Sequence, residues 1–303
     1  LETKLKAIEN LRNTRGKPLS TVLVPTIING INDDQCGEIL KFAVENRDVI
    51  RCVNFQPVAF TGRISKDELE AQRFTISDLA DRLAKQTDYV EKYDFYPVPF
   101  VAPISYMASV VSGKDKVAFT SHPHCGVATF LYIDDNGKVT PINRFVDVDG
   151  MLGKMNELGD RASGFLGQML LKAAKKFKSN EGKKKSMMKS FHKYFGQYID
   201  YDNIPEGLNL EEIITGLIAT GDRDPLSDFT WKLLMVGGMH FQDAYNYDVN
   251  RVQRCVIHYA VPDGRIIPFC AFNGGPTYRE EIEKKFSVPL DEWKRNHKQD
   301  ISE

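Results

Sequence analysis

The stretch that most limits what this chain can fold into is residues 20–60, where two β-branched apolar runs flank an amphipathic helix. "STVLVPTIINGIN" is almost continuously apolar, the pattern of a strand buried on both faces of a parallel sheet. "DDQCGEILKFAVENRD" then predicts a helix with Asp33 or Asp34 as N-cap and Ile39, Leu40, Ala43 and Val44 on one face. "IRCVNFQPVAF" is a second buried strand. Strand, helix and strand at this spacing make a parallel crossover, and α/β folds bind ligands at the C-terminal ends of such strands. The polar residues there are Thr26, Asn29 and Asn32 after the first strand, and Asn54, Gln56, Thr61 and Arg63 on or after the second. By pattern alone they read as loop polarity and helix caps.

The rest of the chain is less regular. Residues 66–110 read as mostly helical, with Ser77 and Asp78 near the cap of "ISDLADRLAKQTD". "VAFTSHPHCGVATFLYIDDNGKVTPI" predicts two strands around an Asp-Asn-Gly turn. From Met151 to Tyr198 the pattern is helical and increasingly basic, and in residues 172–193 lysines interleave with Phe177, Met187, Met188 and Phe191. Such a stretch is ordinarily a solvated helical face, and it also suits a helix lying on an anionic lipid surface. At 303 residues, with net charge −1, the chain can bury a full core and carries no nucleic-acid signal. No apolar run approaches the roughly 20 residues that cross a bilayer.

Five widely spread cysteines, Cys36, Cys52, Cys125, Cys255 and Cys270, argue for a reducing compartment and against a disulfide framework. Cys36 and Cys52 fall within the predicted helix and buried strand and read as structural. Cys125 and Cys255 each head a predicted hairpin, one turning at Asp-Asn-Gly and the other at Asp263-Gly264. With a two-residue turn in "CVIHYAVPDGRIIPFC", Ile257 would face Cys270, with Cys255 one diagonal step away on the same face, roughly 7–8 Å at Cα. That spacing suits two thiolates on one iron–sulfur cluster, whereas a three-residue turn would put the cysteines on opposite faces. His122 and His124 add nitrogen donors beside Cys125, so zinc is an alternative. No C-x-x-C pair is present, and packing competes with metal ligation at every cysteine. "GGMHFQDAYNYD" (237–248) reads as a capped turn with packed aromatics or as a substrate-facing segment in which His240 donates to Asp243.

The succession "TVLVPTIINGINDDQ", "VNFQPVAFTGRIS", "HPHCGVATFLYIDDNGK" and "MHFQDAYNYDVNRVQRCVIHYAVPDGRIIPFCAFN" resembles the later part of the radical S-adenosylmethionine (SAM) protein family of the archaeal tetraether lipid synthase and its relatives. The resemblance implies an α/β fold: residues 1–65 as the last units of a partial (β/α) TIM-type barrel, and 66–303 as a C-terminal α+β domain with an auxiliary iron–sulfur cluster. It implies SAM bound on a [4Fe-4S] cluster held by an N-terminal C-x-x-x-C-x-x-C. This sequence has no such motif, and Leu1 opens inside a helix, so truncation is the expectation. By the same resemblance Cys125, Cys255 and Cys270 become the auxiliary-cluster ligands, while Thr26, Asn54 and Gln56 face the SAM side.

The function implied is 5′-deoxyadenosyl-radical chemistry, with hydrogen abstraction and carbon–carbon bond formation on a lipid chain. An electron donor such as ferredoxin or flavodoxin, a cytoplasmic location and peripheral membrane contact go with it. The alternatives are a radical SAM enzyme acting on a peptide or small molecule, a non-catalytic iron–sulfur or zinc protein, and a metal-free α/β protein.

Overall fold

The computed structural model describes residues 1–14, 19–112, 115, 121–164, 189, 192–208, 231–274 and 278–297. Most of the basic stretch 172–193, and most of the region from Pro205 to Asp228, lie outside the described residues. Two compact units share the chain: Leu1–Val58 with Glu70–His240, and Ala59–Leu69 with Phe241–Glu303.

The first unit is built on one mixed sheet. Its strands are β1 (Thr21–Leu23), β2 (Thr26–Ile27), β3 (Ile50–Pro57), β4 (Tyr96–Pro97), β5 (Gly126–Ile133), β6 (Val139–Pro141) and β7 (Leu233–Met239). The path β1-β3-β7-β5-β4 carries β2 beside β3 and β6 beside β5. β1, β2 and β7 pair with β3 in parallel, whereas β7, β4 and β6 pair with β5 antiparallel. Among the described residues the sheet does not close into a barrel.

The single apolar run of residues 20–32 becomes two short strands because Pro25 lacks an N–H for the ladder. Its carbonyl still accepts from the Gln56 N–H at 2.8 Å.

The helices are α1 (Glu2–Arg12), α2 (Cys36–Glu45), α3 (Lys66–Gln72), α4 (Ile76–Gln86), α5 (Ala102–Ser112) and α6 (Val148–Ser163). The cap of α4 lies at Thr75, ahead of the Ser77 that the pattern suggests. Thr75 caps the Asp78 N–H, and the Asp78 carboxylate returns to the Thr75 N–H, a reciprocal capping box. Leu40, Ala43 and Val44 of α2 and Leu79 and Leu83 of α4 meet Val53, Phe55, Leu131 and Val236 of the sheet in one core. The helices approach closely at Gly37, where a Cβ would lie 2.8 Å from the Gln86 carbonyl oxygen. A second core gathers Tyr132, Phe145, Met151, Met155, Phe195 and Ile199 around α6.

The second unit contains α7 (Val249–Gln253), the ribbon β8 (His258–Ala260) and β9 (Ile266–Pro268), α8 (Phe269–Gly274), α9 (Tyr278–Phe286) and α10 (Leu290–Asn296). Val261, Ile267, Ala271 and Ile282 form its core. Segment 59–69 is stapled to it by the buried Asp243, whose carboxylate accepts from the Phe60 and Tyr245 N–H groups at 2.8 and 2.9 Å. The Tyr245 hydroxyl donates to the Gly62 carbonyl and accepts from the Ile64 N–H.

Candidate functional site

Because β1, β2, β3 and β7 run parallel, their C-terminal ends share one pole of the sheet, and antiparallel β5 begins there. The two faces of this sheet differ. On the helix face Val53, Phe55 and Val236 are fully buried. On the other face lie Cys52, Asn54 and Gln56 of β3, opposite Val22, Gly237 and Thr26 of their neighbours. Val22 is 51% exposed there, which is unusual for a parallel strand, and Val24, between β1 and β2, is 53% exposed. Thr26 is exposed, and Asn54 and Gln56 are half-buried. Among the described residues, no hydrogen bond engages the side chains of Thr26, Asn54 or Gln56.

Of the other polar candidates, two are structural. Asn29 donates its side-chain N–H to the Ala71 carbonyl. Asn32 binds the Thr26 carbonyl and accepts from the Ile28 N–H, closing the loop after β2. Asp33 caps no helix with its side chain. One carboxylate oxygen accepts from the Gly30 N–H and the other pairs with Arg82 at 2.8 Å, so the loop at the pole is held to α4. Gly30 itself sits at φ +74°, a conformation that favours glycine. Thr61 and Arg63 lie exposed on the stapled segment of the second unit.

The cysteines divide in the same way. Cys36 and Cys52 are buried, and burial pushes their thiols up to about 12 and about 11, as expected of inert packing residues. Cys125 is half-buried and enters β5 at the pole. Just before it, His122 caps a 3₁₀ turn by accepting the His124 N–H on Nδ1, and the two rings stand 5.0 Å apart.

The hairpin of the second unit differs from the two-residue expectation. His258 faces Pro268 and Ala260 faces Ile266, so Pro262, Asp263 and Gly264 form the turn. The Gly264 N–H donates to the Val261 carbonyl, and only Gly264 takes positive φ, +88°. Pro262 is the physical reason: its fixed φ favours a type I turn followed by a left-handed glycine over type I′. Chain direction changes again at Phe269, where α8 begins, so Cys270 lies in the first turn of a helix and not on a strand. Its buried Sγ accepts from the Gln242 N–H at 3.4 Å, while the half-buried Cys255 thiol donates to the Ile257 carbonyl at 3.1 Å. Among the described residues, no three His, Cys, Asp or Glu side chains gather around one ion position.

One neighbour of Cys125 is not apparent from the sequence. The β5–β7 register places Gly126 opposite Met239, and the pairing continues one step as the His240 N–H donates to the Cys125 carbonyl at 2.8 Å. Only the sequence "LLMVGGM", read as a strand pairing with "GVATFLYI", could have signalled this.

No helix among the described residues is long and apolar enough to cross a membrane. No protein-family model matches the chain. It is, however, 42% identical over 308 aligned residues to a protein of Methanocaldococcus jannaschii named 7,8-dihydro-6-hydroxymethylpterin dimethyltransferase. The alignment takes in 98% of this chain and 56% of that protein. The chain is therefore similar, along nearly its whole length, to about half of a longer methyltransferase.

Proposed function

We propose that the chain is part of a radical SAM enzyme and that SAM is held at the C-terminal pole of the sheet by Thr26, Asn54 and Gln56. The observation that carries this reading is the open face of the parallel sheet, where two half-buried amides without partners among the described residues stand near exposed valines. Each amide brings donors and an acceptor, and the Thr26 hydroxyl brings both, a set suited to a ligand with carboxylate, amino and ribose groups. Val22, Val24 and the half-buried Met235 and Met239 would keep water from the reacting carbon. When bound, SAM with its cluster supplies a radical able to take hydrogen from an unactivated carbon; the protein positions and shields. In this reading the sheet continues into a partial TIM-type barrel in the longer parent.

The finer proposal is carbon–carbon bond formation on a lipid chain, supported by the resemblance of the four sequence blocks. Cys125, Cys255 and Cys270 are the proposed thiolate ligands of an auxiliary cluster, and a ferredoxin or flavodoxin the proposed electron donor. Peripheral contact with a membrane from the cytoplasm belongs to the lipid reading. A second reading, a reduced pterin as substrate, is favoured by the name of the Methanocaldococcus jannaschii relative.

The test is to incubate the longer parent anaerobically with SAM and reductant, offering an isoprenoid lipid or a reduced pterin, and to track 5′-deoxyadenosine and the mass of the product. Cleavage stimulated by the lipid, with coupled product, supports the first reading, and cleavage or methylation stimulated by the pterin supports the second. No cleavage with a reconstituted cluster overturns both. Asn54→Ala and Gln56→Ala are each expected to weaken SAM binding about tenfold, the effect of roughly 1.4 kcal/mol.

A further inference from the structure

We infer that the surface with which this protein rests on an anionic bilayer is the strip of residues 284–297 in the second unit, with Phe286, Val288, Leu290 and Trp293 in the interfacial layer and lysines at the headgroups. The inference rests on the proposed peripheral membrane contact and names the surface that makes it. Every residue from 283 to 297 is exposed, so no side chain in this stretch is buried, although it includes the end of α9 and all of α10. Phe286, Val288, Leu290 and Trp293 are 41%, 56%, 63% and 41% exposed. Large apolar side chains so close together in sequence differ from the scattered single exposure of an ordinary surface. Leu290 and Trp293, three positions apart, share one side of α10. The His297 ring extends that side, stacked on Trp293 with centroids 4.6 Å apart. At about 100° per residue, Asp291 and Glu292 fall on the opposite side. An isolated helix of seven residues is marginal in water, and a surface covering Leu290 and Trp293 would stabilise it.

The charges select the partner. On α9 the Glu283 carboxylate pairs with Arg279, and Glu281 lies 3.4 Å from Arg265. Lys284, Lys285 and Lys294 pair with no carboxylate among the described residues. The Lys285 ammonium stands 5.0 Å from the centre of the Phe286 ring. Unpaired cations beside exposed apolar side chains, on both helices, are complementary to a surface that is anionic outside and apolar beneath. A protein partner fits less well, because lysine is depleted from the cores of protein interfaces. At a bilayer the same lysines extend to the headgroups while the aromatic rings occupy the boundary layer.

The experiment is flotation of this chain with phosphatidylcholine vesicles containing about one-third phosphatidylserine, beside vesicles of phosphatidylcholine alone. The wild type is expected to bind the anionic vesicles at least about tenfold more tightly than the neutral ones. Leu290→Ser/Trp293→Ser is expected to lower that binding about tenfold or more, and Lys284→Gln/Lys285→Gln about fivefold for each charge removed. All four positions are exposed, so both variants are expected to keep the wild-type circular dichroism. Trp231→Phe leaves Trp293 as the one tryptophan of the chain, and anionic vesicles are expected to shift its emission to the blue. Wild-type binding retained in either double variant, equal binding to the two vesicles, or a Trp293 emission that does not move overturns the assignment to this strip while leaving membrane contact elsewhere on the chain. A folded chain that binds neither vesicle overturns the strip and the peripheral contact together. Self-association without vesicles that Leu290→Ser/Trp293→Ser abolishes gives the strip to a second copy and overturns the lipid assignment.

Discussion

The two cysteine-headed hairpins share one turn and almost nothing else. In the β5–β6 hairpin the Gly137 N–H donates to the Asp134 carbonyl, the Asp134 N–H to the Lys138 carbonyl, and Gly137 sits at φ +83°. In the β8–β9 hairpin Gly264, Val261 and Arg265 repeat that pattern, with φ +88°. Yet β5 runs from Gly126 to Ile133 paired with β4, β6 and β7 in the large sheet, whereas β8 spans only His258–Ala260 in a two-stranded ribbon. The turn is a local property of Asp, Gly and their neighbours. The strands it joins depend instead on their cover: Leu131 and Ile133 are sealed under α2 and α4, while Ile266 is 70% exposed. An isolated two-stranded ribbon is marginal in water, so the second depends on its small core and on the Asp243 staple.

Truncating one residue on each hairpin puts this contrast to its most severe test. Leu131→Ala is expected to cost about 2–5 kcal/mol of unfolding free energy, the range for a buried leucine whose cavity cannot collapse. Ile266→Ala is expected to change it by about 0.5 kcal/mol or less, as for an exposed surface position. Urea denaturation monitored by circular dichroism measures both. Equal losses would mean that Ile266 is covered in solution and that the ribbon is no free surface.

A smaller effect tests the shared turn. Both Gly137 and Gly264 have open space where a Cβ would go, so alanine meets no clash and only the cost of left-handed backbone remains. Gly137→Ala and Gly264→Ala should each cost about 1–2 kcal/mol. They should be similar within error if each unfolding transition is resolved. A cheap alanine at Gly264 alone would show that the second turn can relax to another type because its strands hold it less firmly.

Local grammar explains which parts of the molecule are legible in the sequence. The crossover of β1, α2 and β3 and the β5–β6 hairpin arise from apolar runs, turn residues and a helix face, all within a few dozen neighbouring positions. The break at Pro25 and the cap at Thr75 shift boundaries without altering that outline. Thr26, Asn54 and Gln56 are readable as strand-end residues; that Thr26 faces Gln56, and that Asn29 and Asn32 close the loop instead, emerges only from the three-dimensional structure. β7 is not legible as the strand between β3 and β5, because these partners, Ile50–Pro57 and Gly126–Ile133, lie far from it along the chain. For the same reason the sequence sets His240 against its near neighbour Asp243 and not against Cys125. The register of β8 and β9 is hidden for a local reason, since Pro262 changes the turn that Asp263-Gly264 alone suggests.

The cysteines that head no hairpin give the smallest effect, and its sign can be worked out. Cys52 is raised from an ordinary value of 9.0 to about 11 by burial, and Cys36 to about 12 by burial and then by the Asp33 charge. A thiol whose folded pKa is raised ionises first in the unfolded chain. The unfolded state therefore binds fewer protons than the folded one above pH 9, and stability falls as pH rises. The stabilisation is fully present below about pH 9; the Cys52 part is lost progressively up to about pH 11 and the Cys36 part up to about pH 12. In urea titrations the wild-type midpoint should therefore decline between pH 9 and 11 more steeply than that of Cys52→Ala, which removes one titrating group. Parallel slopes for wild type and Cys52→Ala would mean that water reaches Cys52 from the open face, and the distinction between packing cysteines and pole cysteines would fail there.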